Sequence, residues 1–380
     1  MTLSELETPS LILDQSRLAA NIAAMSARMK RHGVDLRPHL KTAKSADVAR
    51  LATAAHSGAI TVSTLVEAAY FARHGFRDIT YAVGVTLAKL PRVAALCRDG
   101  VRLAVVTDSV AVAREIAHSV THALDYGAGI GVFIEIDSGL GRAGIRADDE
   151  ALIGIARALE GAAEFRGVLT HAGQSYGCAS VAEIEAVAEA ERQAVVTAAE
   201  RLRGAGIACP EVSVGSSPTA RFGRGFAGVT ETRPGVYMFN DAFQAGLGCC
   251  RLDDVALTVL TTVIGQRRDL GMLLIDAGGL ALSKDRSTAG QAEDVGYGLV
   301  YDAAGERRLD GLRVADVHQE HGLIKAVADG ASIPFDALPI GTRLRIMPNH
   351  ACMTAAAYDR YHVVDGGDEI IAEWPRCVGW

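Results

Sequence analysis

From residue 15 to about residue 240 the chain repeats one theme: a short β-branched run, a turn, then apolar residues at helical spacing. The strand candidates are Asp35–His39, Ile60–Thr64, Ile79–Val83, Arg102–Asp108, Val132–Asp137, Val168–His171, Val212–Gly215 and Thr230–Tyr237. Helical patterns lie between them, for example over Ala46–Ala55, Leu65–His74, Ala111–Ser119, Ala151–Leu159 and Ala182–Arg203. On the opening helix Leu18, Ile22, Met25 and Met29 form an apolar stripe, with Asp14 placed to cap it. Eight strands alternating with helices predict a parallel (β/α)8 barrel. A doubly wound open sheet is the structural alternative, but no G-x-G-x-x-G follows the first strand. Forty glycines suit a fold with many tight strand-to-helix turns.

After about residue 250 the texture changes. Val255–Ile264, Met272–Ile275, Leu299–Tyr301, Leu312–Val317 and Arg343–Met347 recur with few long helical patterns between them. Tyr361–Val364 and Glu369–Ala372 bracket Asp365-Gly366-Gly367-Asp368, a hairpin-turn sequence. This part predicts a mostly antiparallel β domain. A chain of 380 residues exceeds the usual size of one core, so two domains are expected: residues 14–245 and residues 246–380, with residues 1–13 able to join the second.

The charge balance narrows the partners. Lys and Arg total 38 against 45 acidic residues, a net charge of −7, so no basic surplus exists to neutralise nucleic-acid or membrane phosphates. The first ten residues carry no basic start or apolar core of a secretory signal. Seven cysteines without regular spacing favour reduced thiols and a cytoplasmic location.

In such a barrel, chemistry sits at the C-terminal strand ends and phosphate commonly binds after the seventh and eighth strands. Lys41 follows the first strand candidate. If buried there, its ammonium would be desolvated and the residue would suit imine chemistry; otherwise it is a rim lysine whose stem covers apolar surface. Gly215-Ser216-Ser217-Pro218-Thr219 follows the seventh strand and offers either a phosphate cradle or simply a capped helix start. Farther on, Pro348-Asn349-His350-Ala351-Cys352 reads as a strand segment in which His350 and Cys352 share a face, either as a buried pair or as ligands of one ion.

Taken together, Thr8-Pro9-Ser10-Leu11 and Arg37-Pro38-His39-Leu40-Lys41-Thr42 resemble the fold-type III pyridoxal-phosphate enzymes of the D-threonine aldolase and D-serine dehydratase family. The likeness runs from about Thr8 to Gly379-Trp380. It implies an alanine-racemase-like barrel with a C-terminal β domain, pyridoxal 5′-phosphate bound as an imine on Lys41, and Lys44 as a structural residue. The segment Glu135–Arg142 is similar to the family motif whose arginine, here Arg142, contacts the cofactor near its 3′-oxygen. Thr170–Tyr176 is similar to the segment whose histidine, here His171, packs on the ring, with Tyr176 near the substrate. Gly215, Ser216, Ser217 and Thr219, together with Gly235 and Tyr237, correspond to the phosphate-binding pieces. Arg233 either meets the pyridine nitrogen or pairs with Glu231.

For His350 and Cys352 the resemblance implies a divalent metal, zinc first, with magnesium or manganese as alternatives. The aldolases of the family carry His-x-Asp where this chain has His-x-Cys. A Lewis acid on the substrate's β-hydroxyl serves elimination, whereas racemisation needs no metal. The expected activity is dehydration of a small D-3-hydroxy amino acid, of the D-serine or D-threo-3-hydroxyaspartate type, to a 2-oxo acid and ammonia. The alternatives are retro-aldol cleavage to glycine and an aldehyde, or a non-catalytic pyridoxal-phosphate-binding protein. Gln319-Glu320-His321 is assigned to the surroundings of substrate or metal. His32, His56 and His74 are expected to be structural, and a homodimer is implied.

Overall fold

A computed structural model describes residues 1–127, 129–328 and 330–380. The chain divides into two units: Ala24–Gly235 with Gly379–Trp380, and Met1–Ala23 with Val236–Val378. Among the described residues no helix is long and apolar enough to cross a membrane.

Strand β1 (Ser10–Asp14) leads directly into α1 (Gln15–His32), which passes from one unit to the other. Asp14 caps α1 by accepting the amide of Arg17 at 3.0 Å. Leu18, Ile22, Met25 and Met29 are all buried, as their spacing requires.

The first unit then alternates β2 (Asp35–Leu36), α2 (Ala46–Thr53), β3 (Ile60–Val62), α3 (Leu65–Arg73), β4 (Asp78–Gly84) and α4 (Leu90–Arg98). It continues with β5 (Arg102–Thr107), α5 (Val110–His118), β6 (Gly131–Glu135), α6 (Ala151–Leu159), β7 (Glu164–Leu169), α7 (Val181–Gly204), β8 (Glu211–Val214), α8 (Ser217–Phe222) and β9 (Glu231–Thr232). The eight strands β2 to β9 are all parallel, in the order β2-β9-β8-β7-β6-β5-β4-β3. A parallel bridge between His39 and Thr61 joins the two ends of that row and closes the barrel.

The expected eighth strand is shorter than its sequence suggested. Only Glu231 and Thr232 pair regularly, and Val236–Met238 is a 3-10 turn. Pro234 has no amide to donate, and Gly235 lies so close to the His39 carbonyl that a Cβ would stand 2.8 Å from it.

The opposite end of the barrel is closed by charge. Asp78, Glu211 and Glu231 each open a strand and converge on two arginines. Arg37 lies 2.6 Å from Asp78 and 2.7 Å from Glu231, while Arg166 pairs with Glu211. Arg166 is 1 % exposed, and Gly131 leaves room for it, since a Cβ there would lie 3.0 Å from the arginine's Cγ. Arg37 is buried between its partners, whereas Arg166 Nη1 is buried without a hydrogen-bond partner among the described residues. Nearer the middle, Ala104, Val106, Phe133 and Leu169 form an apolar cluster.

In the other unit α9 (Ala242–Gly246), β10 (Leu257–Arg267), β11 (Met272–Ile275), α10 (Gly279–Leu282), β12 (Gly298–Asp302) and β13 (Arg308–Val317) come first. Strands β14 (Gly322–Ala326) and β15 (Arg343–Pro348), helix α11 (Ala351–Ala355), and strands β16 (Arg360–Val364) and β17 (Ala372–Pro375) follow. The sheet order is β11-β14-β13-β12-β15-β10-β1-β16-β17, and β10 also pairs with β11, so six strands form a ring from which three extend. All pairs are antiparallel except β1–β16. The N-terminal residues thus supply an interior strand, and Leu3, Leu6, Ile12, Leu260 and Val364 pack as one cluster.

The last strand is displaced from Glu369–Ala372. Thr2 bridges Glu369, and the amide of Ile370 donates to the carbonyl of Met1. That segment is therefore engaged by the chain's own beginning, and pairing with β16 resumes at Ala372.

Candidate functional site

The segments singled out in the barrel all lie at the C-terminal ends of its strands. Lys41 follows β2, and its backbone amide donates to His39 Nδ1 at 3.4 Å. Its side chain is exposed, which is the rim setting and not the buried one. Lys44 is the structural lysine. Its backbone is left-handed (φ 47°), and its ammonium lies 3.3 Å from the buried Glu67 carboxylate.

Arg142 rides on the loop after β6. Asp137 shapes that loop by accepting the amides of Gly139 at 2.9 Å and Gly141 at 3.1 Å. Gly144 (φ 96°) packs so tightly that a Cβ would lie 2.7 Å from the Asp137 amide. The guanidinium of Arg142 is exposed and stands 3.8 Å from Glu135.

After β7, His171 donates from Nδ1 to the carbonyl of Gly215, which ties the ends of β7 and β8 together. Burial, with the charges of Lys41, Arg142 and Arg233, lowers the pKa of this imidazole to about 3, against the Gly215 hydrogen bond, which raises it. His39 is held well below its ordinary value by burial and by the charges of Lys41, Arg233, His171 and Arg142. Both rings are therefore neutral beside three cations. Tyr176 has its ring 6.4 Å from that of His171.

The segment Gly215–Thr219 is buried. Ser216 caps α8 by accepting the Thr219 amide at 3.1 Å, and its hydroxyl also meets those of Thr219 (2.8 Å) and Ser175 (3.0 Å). The capped helix start is thus real. Gly215 approaches Arg233 so closely that a Cβ would lie 3.0 Å from that side chain, while Ser217 and Thr219 lie within the first turn.

Arg233 reaches Glu231 through Ser213, whose hydroxyl donates to that carboxylate at 2.6 Å, and the charge of Glu231 acts on Arg233 as well. The Arg233 guanidinium donates to the hydroxyl of Ser213 and the carbonyl of Thr170, and Glu231 pairs directly with Arg37. Tyr237 lies in the other unit, fully buried, and burial pushes its phenol up.

Glu191 on α7 escaped notice in the sequence. Its carboxylate accepts the amides of Ala172 at 3.1 Å and Gly215 at 3.0 Å, and it is hydrogen-bonded to Thr219. Burial pushes its carboxyl up, against those three hydrogen bonds. A signal did exist: Glu191 occupies the buried stripe of α7 that includes Ala188, Val195 and Leu202.

In the β unit His350 and Cys352 are brought together, but not by strand alternation. Strand β15 stops at Pro348, His350 is the extended residue that opens α11, and Cys352 lies inside that helix. Asp241 accepts the amide of Ala351 at 2.9 Å and fixes the helix start. The His350 imidazole bonds Asp285 at 2.7 Å and is also hydrogen-bonded to Cys352. Burial opposes its charge, yet the bonds to Asp285 and Cys352 push His350 up to about 11. Among the described residues no cluster of three His, Cys, Asp or Glu side chains is arranged to hold a metal, so this pair would need ligands from elsewhere.

Gln319, Glu320 and His321 form an exposed turn. Gly278 packs directly against it, where a Cβ would lie 2.5 Å from the Gln319 carbonyl. The carboxylate that reaches His350 is Asp285, not Glu320. His56, bonded to Asp35 and Ser26, and His74, bonded to the Tyr70 carbonyl, are structural as expected. So is His32, edge-on to Phe226.

These residues fit a flat, anionic aldehyde cofactor. They present an exposed amine, two further cations, neutral imidazole rings and two glycines at which a Cβ would press on Arg233 and on the His39 carbonyl. The imidazole–thiol pair suits a borderline-soft divalent metal.

Residues 13–242 match the family model for the alanine racemase N-terminal domain, and residues 256–364 match that for a serine dehydratase domain. Over its whole length the chain is 46% identical to D-threo-3-hydroxyaspartate dehydratase of Delftia sp. strain HT23, covering 99% of that protein. It is 29% identical to the D-serine dehydratase of Dictyostelium discoideum, covering 100% of this chain and 98% of that one. Solved structures of the Delftia enzyme, one of them a variant in a metal-free form, align with a TM-score of 0.96 at 45% identity, with each chain fully covered.

Proposed function

Because the chain belongs to the alanine racemase N-terminal domain family, with a serine dehydratase domain after the barrel, we propose that it dehydrates a small D-3-hydroxy amino acid. The product is a 2-oxo acid with ammonia, and the preferred substrate class is D-threo-3-hydroxyaspartate or D-serine. The observation that carries this reading is the imidazole–thiol pair of His350 and Cys352, in a chain whose barrel gathers Lys41, Arg142, His171 and Arg233 at one mouth.

Pyridoxal phosphate, when bound, supplies an electron sink for the charge that develops at Cα. Lys41 is the residue we assign to hold it and to accept the α-proton at Nζ. Arg142 compensates negative charge at the rim, and neutral His171 offers a flat face for stacking. Gly215, Ser216, Ser217, Thr219, Gly235 and Tyr237 are assigned to the phosphate, with Glu191 holding Gly215 in place. Tyr176 is assigned to the substrate side. Arg233, already committed to Ser213 and Thr170, is assigned to support the site. A metal on His350 and Cys352, which we take to be zinc, supplies Lewis acidity for the departing β-hydroxyl. The hydroxyl leaves with a proton as water, and a second water releases ammonia and the 2-oxo acid.

We further assign the protein to a reducing compartment, the cytoplasm, since its seven cysteines are all free thiols. We assign it to a homodimer, for which sedimentation analysis is the check. The activity is tested by incubating purified, cofactor-loaded protein with D-serine, D-threo-3-hydroxyaspartate and D-threonine. Keto acid and ammonia are expected. Glycine plus an aldehyde would replace this reading with retro-aldol cleavage.

A further inference from the structure

The loop after α10 is built around an unfavourable backbone. Ser283 has φ 67° and ψ 168°, a region that glycine alone visits freely. Non-glycine residues are held there at functional sites when the surroundings over-determine them. Its own hydroxyl accepts the amide of Asp285 at 3.2 Å, and the next turn returns the hydroxyl of Ser287 to Asp285 Oδ1 at 2.5 Å. The other carboxylate oxygen, Oδ2, meets His350 Nδ1 at 2.7 Å. Both oxygens are thereby engaged, and the chain Ser287–Asp285–His350 ends on an imidazole whose far nitrogen is Nε2.

An oxygen accepting from Nδ1 lies on the opposite side of the ring from an ion on Nε2, so Asp285 cannot share that ion. A carboxylate in this place fixes the tautomer and the ring orientation instead. We propose that Asp285 is a positioning residue, which holds His350 with Nε2 as its metal-ligating nitrogen. This rests on the reading of His350 and Cys352 as metal ligands.

The test measures zinc affinity of the full-length protein by competition with a fluorescent chelator, for the wild type and for Asp285→Asn, Ser287→Ala and His350→Ala. Asp285→Asn should weaken zinc by about 10–100-fold, and Ser287→Ala should weaken it less, in the same direction. His350→Ala should abolish tight binding. In the wild type loaded with a spin-half cadmium isotope, scalar coupling should appear on His350 Nε2, and Asp285→Asn should weaken or lose it, which a purely structural role for Asp285 would not do. If Asp285→Asn and Ser287→Ala both bind zinc within twofold of wild type while His350→Ala does not bind, the positioning role is wrong and the metal reading stands. Coupling to Nδ1 has the same meaning. If the wild type binds no zinc, or His350→Ala binds it equally well, the metal reading falls and takes this proposal with it.

Discussion

His171 donates its Nδ1 proton to the carbonyl oxygen of Gly215, which leaves the ring neutral with its lone pair on Nε2. A pKa lowered to about 3 puts protonation of the ring far below physiological pH. The His171 resonances should therefore show no titration between about pH 5 and 8 in proton–nitrogen NMR spectra, whereas an ordinary histidine titrates near 6.5. A midpoint in that range would overturn the assignment. Because the folded value is depressed, the linked stability is fully present above about pH 6.5 and is lost as the pH falls towards about 3.

Glu191 holds two backbone amides that have no route to water. In Glu191→Ala both donors are orphaned at about 1–3 kcal/mol each, so a stability loss of about 3 kcal/mol is expected in urea unfolding. Glu191→Gln keeps one acceptor oxygen and should lose less. A loss below about 1 kcal/mol for the alanine variant would show that the carboxylate does not hold these strand ends.

The two neighbouring lysines should separate cleanly. Lys41→Ala should abolish the absorption band near the visible edge in protein supplied with pyridoxal phosphate. Lys44→Ala should keep the band and lose about 1–3 kcal/mol of stability, since the buried Glu67 carboxylate loses its cation. Reversal of these two results would exchange the roles.

At the other end of the barrel, Arg37→Met removes the shared partner of Asp78 and Glu231. Breaking so buried a network costs about 3–5 kcal/mol, measurable as a lower urea midpoint. Cofactor absorbance in the surviving folded protein should be unchanged. A near-neutral effect on stability would mean that solvent reaches these carboxylates.

Chelation should divide the two cofactors. Treatment with a strong chelator is expected to stop keto-acid formation while leaving the Lys41-dependent band intact, and Cys352→Ala should behave the same way without a chelator. Full turnover in Cys352→Ala would remove the thiol from the metal site.

Local periodicity carried most of the architecture. The stripe on α1, the alternation of strands and helices, and the extra N-terminal strand could all be read because each is written over several consecutive residues. The failures share a cause. Thr230–Tyr237 looked like one strand, but Pro234 and the tight packing of Gly235 decided otherwise. Glu369–Ala372 was displaced by pairing with residues 1–3, a contact invisible in its own composition. His350 and Cys352 do meet, but at a helix start and not through strand alternation. Asp285 lies 65 residues from His350, and Glu191 lies 24 residues from Gly215, so no spacing rule links either to its partner.

Strand β1 lies between β10 and β16. A nascent polypeptide therefore exposes residues 10–14 to the cell long before residues 257–260 and 362–364 exist to flank them. At about 5–20 residues per second, the wait for β10 lasts roughly 10–50 seconds and that for β16 roughly 20–70 seconds, with strand edges open to wrong neighbours meanwhile. Translation speed, and whatever shields this one segment meanwhile, then bears on the yield of the finished protein.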